Sequence, residues 1–196
     1  MVFWDDVFSQ VAADYPDIER LNSHVNALVS LRDPDALLQE VDAADARLAR
    51  GDSQGWMHGF PYAVKDLALT RGIPTTQGSP MFRTFVPEHD AIFVERLRRA
   101  GAILIGKTNV SEFGLGSHTY NSVFGTTRNA YALDRTAGGS SGGAAVALAL
   151  RMVPVADGSD MGGSLRNPAA YNNVYGFRPS TAVSRAARRL SCICSS

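Results

Sequence analysis

The sequence predicts an α/β domain with a mixed, partly parallel sheet flanked by helices. Three observations carry this. Its 196 residues suffice for one ordinary domain and not for two full ones. Apolar residues make up 45% and charged residues 19%, the proportions of a chain that buries a core. From Gly59 onward, short apolar runs alternate with helical patterns, as expected when helices connect strands that pair in parallel.

Taken in order, the first fifty residues read as acidic and helical. Eleven acids against four arginines leave Met1 to Asp52 with a net charge of −7. Asp33-Pro34 supplies an N-cap and a first-turn proline. Leu37, Leu38, Val41, Ala44 and Leu48 share one face, and Gly51 stops the helix. This element is expected to lie on the outside of the core and to carry no chemistry. Pro61 to Val64 reads as a strand entering a loop. Asp90 is placed to cap a helix carrying Phe93, Val94, Leu97 and Ala100, ended by Gly101. Ala102 to Ile105 reads as a buried strand, Gly142 to Leu150 as a helix of small residues, and Val153 to Ala156 as another strand. There is no internal repeat and no interdomain linker.

Several function classes are disfavoured. Nineteen basic and nineteen acidic side chains cancel, so no global field recruits nucleic acid or an anionic membrane. The longest apolar run, Ala144 to Leu150, falls far short of the ~20 residues of a membrane span. The start, Met-Val-Phe-Trp-Asp-Asp, lacks a basic signal-peptide region, and the expected location is cytoplasmic. His24, His58, His89 and His118 are too dispersed for a recognisable metal motif. After Asp160 there is no acid, while Arg166, Arg178, Arg185, Arg188 and Arg189 follow, and Cys192 and Cys194 fall at the very end. Residues 1–180 are therefore expected to form the domain, with 181–196 a basic Ser/Cys-rich tail. The tail reads either as a disordered terminus or as an abnormal end of the coding frame near Ser180.

Two motif matches fail on context. Gly101 to Thr108, GAILIGKT, satisfies the P-loop expression, but its middle is the best strand segment in the chain and Gly101 is better explained as a helix C-terminal residue. Gly138 to Gly142, GGSSG, satisfies the nucleophile-elbow expression, yet the preceding stretch is turn-like and every histidine lies upstream of Ser140.

Three other segments do suggest chemistry. Lysine is scarce, and Lys65 ends an apolar strand, where lost hydration lowers an amine pKa toward a value useful for a base; a plain salt bridge is the competing reading. Gly138-Gly139-Ser140-Ser141-Gly142-Gly143 is either a flexible connector or a loop built for close backbone approach. Gly158-Ser159-Asp160-Met161-Gly162-Gly163-Ser164 is either a tight turn or a hydroxyl presented beside amides that stabilise an oxyanion.

Together these segments resemble the amidase signature family, over roughly Asn26 to Ser180. The resemblance implies a Ser–Ser–Lys triad. Ser164 would be the nucleophile, Ser140, 24 residues earlier, the bridging serine on a cis peptide, and Lys65, 99 residues before Ser164, the base. Ser141 competes for the bridging role. The amides of Met161, Gly162, Gly163 and Ser164 would form the oxyanion hole, and Asp160 and Arg166 would hold the loop. The implied reaction is hydrolysis of a small-molecule amide through an acyl-enzyme, with no metal or organic cofactor. A homo-oligomer is compatible with the sequence. Ala130 follows Asn129 where the family usually has proline. The stretch GSLRNPA looks more like stand-alone bacterial amidases than the amidotransferase component that amidates glutamate on transfer RNA. Family members are usually more than twice this long, so the fold is expected to be incomplete on its C-terminal side and the chain to have little or no activity. The competing readings are a glutamyl-tRNA amidotransferase A-type component, a non-catalytic truncated remnant, and nucleotide binding through Lys107.

Overall fold

A computed structural model describes residue 18 and residues 20–180. The expected tail over 181–196 lies outside the described residues. The central sheet has strand β1 (Leu28–Val29), β2 (Pro61–Lys65) and β3 (Ile103–Thr108) in the order β1-β3-β2. β1 runs antiparallel to β3, and β2 runs parallel to it with Lys65 opposite Thr108. A two-stranded ribbon, β4 (Tyr120–Asn121) and β5 (Gly125–Thr126), stands apart from this sheet. Among the described residues, the helices include α1 (Pro34–Leu48), α2 (Ile92–Arg99), α3 (Gly142–Ala149) and α4 (Arg166–Tyr171).

Apolar side chains alternate across the sheet and divide the core into two clusters. Ala63, Ile103 and Ile105 join Leu37, Val41 and Val146 on one face; Tyr62, Val64 and Leu104 join Val94 and Leu97 on the other. An irregularity between Tyr62 and Ala63 shifts the register, so that Leu104 pairs Tyr62 but Gly106 pairs Ala63. The extra residue in β3 changes which side its later side chains take. Lys107 is thereby paired with Val64, and the neighbouring Lys65 projects to the opposite face. The two lysines of the chain consequently enter different surroundings. Lys107 Nζ donates to the Ala68 carbonyl at 2.6 Å and to Thr70 Oγ1 at 2.8 Å. The GKT of the P-loop match thus lies within a fully buried strand, with its lysine in a structural role.

α1 begins as expected. The Asp33 carboxylate accepts from the Ala36 amide at 2.9 Å. Its buried stripe is narrower than expected, comprising Leu37, Val41 and Ala44, while Leu38 is exposed and Leu48 half-buried. At α2 the expected cap is corrected. Ala91 occupies the N-cap position, and the Asp90 carboxylate instead accepts from the Arg71 amide (2.7 Å) and Arg98 Nε (2.9 Å). The guanidinium bond is charge-assisted and outcompetes an ordinary capping bond. The expected strand Val153 to Ala156 is also corrected: only Ala156 pairs, as an isolated parallel bridge to Ala63. Pro154 has no amide proton to donate to a ladder, which limits pairing along this run.

α3 is buried from Gly142 to Ala147. Its small residues let it sit directly beside the sheet. A Cβ on Gly143 would meet the Asn109 amide nitrogen at 2.4 Å and the Ala27 carbonyl oxygen at 2.6 Å. Those backbone atoms are bonded to each other, so neither can yield alone. Gly143→Ala is accordingly expected to destabilise the fold by about 3 kcal/mol, read as a shift of the denaturant midpoint.

Candidate active site

β2 ends at Lys65, whose side chain is buried under the glycine-rich loop. Its Nζ lies within hydrogen-bond distance of three hydroxyls: Ser140 Oγ at 2.8 Å, Ser141 Oγ at 2.7 Å and Ser159 Oγ at 2.7 Å. All three serines are buried, and the Lys65 amide donates to Asp157 Oδ1 at 2.9 Å. Ser159 was not among the expected site residues. The signal lay in its place between Gly158 and Asp160, just beyond the chain segment that bridges β2 at Ala156.

The peptide bond between Gly139 and Ser140 is cis. Thr119 fastens this loop from both sides, its Oγ1 donating to the Gly138 carbonyl and accepting from the Gly142 amide, each at 2.9 Å. Gly139 packs on the backbone of His118, where a Cβ would come within 2.7 Å.

Distance to Lys65 does not separate Ser140 from Ser141, but placement does. Ser140 lines a cleft of about 750 Å³ that is also lined by Ser159, Gly162, Gly163 and Ser164. Ser141 turns inward: its Oγ lies 3.3 Å from the Ser159 amide, and its own amide donates to the Ser164 carbonyl at 3.0 Å. Ser164 itself is half-buried on the cleft wall. Leu67, Phe113 and Leu115 supply apolar surface.

Asp160 organises the loop that carries Ser164. Its carboxylate accepts from the amides of Gly163 (2.8 Å), Arg166 (3.2 Å) and Leu165 (3.4 Å). It also accepts from Arg166 Nε at 2.8 Å and Nη2 at 3.0 Å. The Arg166 guanidinium, opposed by burial and aided by those amides, holds the carboxyl well below the usual carboxylate range. The expected loop-holding role of Asp160 and Arg166 therefore matches their contacts. Of the four amides expected at an oxyanion hole, that of Gly163 is already directed at Asp160. Next to Lys65, Asp66 is buried, which raises its pKa against the opposing effects of the Thr76 hydroxyl and Lys107. Among the described residues, no group of three or more His, Cys, Asp or Glu side chains could hold a metal ion, and no helix is long and apolar enough to cross a membrane.

Residues 10–189 match the Amidase family. The chain belongs to the amidase family.

Its sequence relatives include the A-subunit of glutamyl-tRNA(Gln) amidotransferase from Sulfurisphaera tokodaii, 43% identical over 175 residues, covering 89% of this chain and 36% of that protein. The protein of the same name from Coxiella burnetii is 48% identical over 162 residues, covering 83% of this chain and 33% of that protein. Among solved structures, the peptide amidase of Stenotrophomonas maltophilia superposes with a TM-score of 0.86 at 32% identity, covering 96% of this chain and 41% of that one. The A-subunit of glutamyl-tRNA(Gln) amidotransferase from Thermotoga maritima superposes at 0.75 with 34% identity, covering 90% of this chain and 36% of that one. The amidase-family chain thus spans about a third of the length of the curated relatives it matches, and its fold is incomplete relative to those structures.

Proposed function

We propose that this chain carries the acylating centre of an amide hydrolase, with Ser164 as nucleophile, Ser140 as bridge and Lys65 as base. The observation that carries this reading is the buried Lys65 amine, 2.8 Å from Ser140 Oγ at the floor of the cleft that Ser164 lines. Lys65, in its neutral form, accepts the proton of Ser140, and Ser140 accepts that of Ser164 as Ser164 Oγ attacks the amide carbonyl. The amides of Met161, Gly162 and Ser164 face the developing oxyanion. As the C–N bond breaks, the relay returns the proton to the departing amine or ammonia. Water then repeats the attack on the acyl-enzyme and frees Ser164. No cofactor enters these steps. The balanced charge supports a small-molecule amide, not nucleic acid, as substrate; a cytoplasmic location is part of the same proposal.

A second reading, an amidotransferase A-type component working with partner proteins, is favoured by the sequence relatives of that name at 43% and 48% identity. Both readings use the same acylation chemistry.

Labelling with a fluorophosphonate serine probe tests the centre directly. The folded wild-type chain is expected to be labelled and Ser164→Ala to lose labelling entirely. Undiminished labelling of Ser164→Ala, or none of a folded wild type, sinks the assignment.

A further inference from the structure

The cleft beside Ser164 carries charge that the hydrolytic steps leave unused. Its charged lining, among the described residues, consists of Asp160 and Arg178. Asp160 is already compensated, because the Arg166 guanidinium binds its carboxylate through two nitrogens at 2.8 and 3.0 Å. Arg178 reaches the same residue through Nε, 3.2 Å from the Asp160 carbonyl oxygen and 3.5 Å from Oδ1. Its side chain remains 37% exposed. A guanidinium is a planar fork of donors, and with Nε directed at Asp160 its terminal nitrogens are, among the described residues, open to a ligand. The positive charge of Arg178 is therefore in surplus within the cleft.

We propose that Arg178 binds a carboxylate of the substrate, so that the preferred substrates are short amides carrying an acid group. A donor fork with surplus positive charge is the chemistry that recognises a carboxylate, through charge-assisted bonds. The substrate's length is bounded as well. Asp160 lies four residues before Ser164, so even an extended loop keeps them within ~14 Å. The bond from the Gly163 amide to Asp160 folds that loop back and shortens the span. Leu67, Phe113 and Leu115 provide apolar wall for the carbon chain between the two polar ends. The proposal rests on the hydrolase reading for the reacting end of the substrate; the carboxylate site itself is testable without turnover.

The experiment is a binding titration of succinamate, a monoanionic amide, against the neutral succinamide, with Ser164→Ala to prevent turnover. Succinamate is expected to bind about 10-fold more tightly, with an affinity that falls as salt rises. Adding Arg178→Gln is expected to bring the ratio of the two affinities toward one, while Arg178→Lys, which keeps the charge, retains most of it. Two ligands that do not differ in affinity, including no measurable binding of either, overturn the proposal. So does a ratio that Arg178→Gln leaves unchanged. Fluorophosphonate labelling of the Ser164-containing protein reports the hydrolase reading separately. Labelling without preference for the anion overturns the Arg178 site alone, whereas preference without labelling supports that site and sinks the hydrolase reading.

Discussion

Lys65→Met is expected to slow fluorophosphonate labelling by about 10³-fold while leaving a folded protein. Methionine roughly matches the length of the lysine stem but offers no group that accepts a proton from Ser140. Three buried hydroxyls, those of Ser140, Ser141 and Ser159, lose the amine that joins them at 2.7–2.8 Å. An unsatisfied buried hydroxyl costs roughly 1–3 kcal/mol. Ser141 and Ser159 already contact one another, however, with the Ser141 hydroxyl 3.4 Å from the Ser159 carbonyl. Part of the loss is recovered there, and the net destabilisation is expected near ~2 kcal/mol. The serine variants separate relay from scaffold. Ser140→Ala, which alters the cleft floor, is expected to slow labelling about 100-fold or more, and Ser141→Ala far less. Equal losses in the two would remove Ser140 from the bridging position. Labelling of a folded Lys65→Met protein at the wild-type rate would remove Lys65 from the relay.

Much of this arrangement was legible in the sequence because it depends on local chemistry. Asp33-Pro34 sets the start of α1 by capping and by a fixed φ, and Gly101 ends α2 with φ near 95°. The apolar run after Gly101 forms the buried strand β3. The resemblance to the amidase family also pointed to Lys65, Ser140 and Ser164; Ser140 and Ser164 line the same cleft, and Lys65 contacts Ser140 at 2.8 Å. What escaped depends on contacts between distant segments. Nothing near Asp90 announces that Arg71 and Arg98 will take its carboxylate. The β3 irregularity that sends Lys65 and Lys107 to opposite faces arises only when the strands pair. Ser159 meets Lys65 across 94 residues, and its own neighbours read equally well as a turn. The Gly163 amide reads as available in the sequence, yet it donates to Asp160, three residues earlier, at 2.8 Å.

That last bond leads to the second large effect, at Asp160. Asp160→Asn removes the charge shared with Arg166 and places an amide where two oxygens accepted from three backbone amides and a guanidinium. At most one oxygen remains to accept, so at least part of the Gly163–Arg166 turn loses its anchor. The Arg166 side chain is 55% exposed and regains water, which moderates the loss below the ~3–5 kcal/mol typical of breaking a fully buried pair. A destabilisation of about 2–3 kcal/mol at pH 7 is expected, together with at least a 100-fold slower labelling of Ser164, because Ser164, the proposed nucleophile, rides on this turn. The effect also carries a pH signature. A carboxyl whose folded pKa lies below its unfolded value contributes stability that is fully present above ~4 and fades as pH falls below it. The wild type therefore loses this contribution on acidification, and Asp160→Asn has none to lose. Denaturant midpoints should differ most at neutral pH and converge as the pH is taken down through ~4 and beyond. A gap between the two proteins that stays constant over that range would show that Asp160 is not held as a carboxylate by Arg166. Labelling of Asp160→Asn at the wild-type rate would show that Ser164 is positioned by something other than this turn.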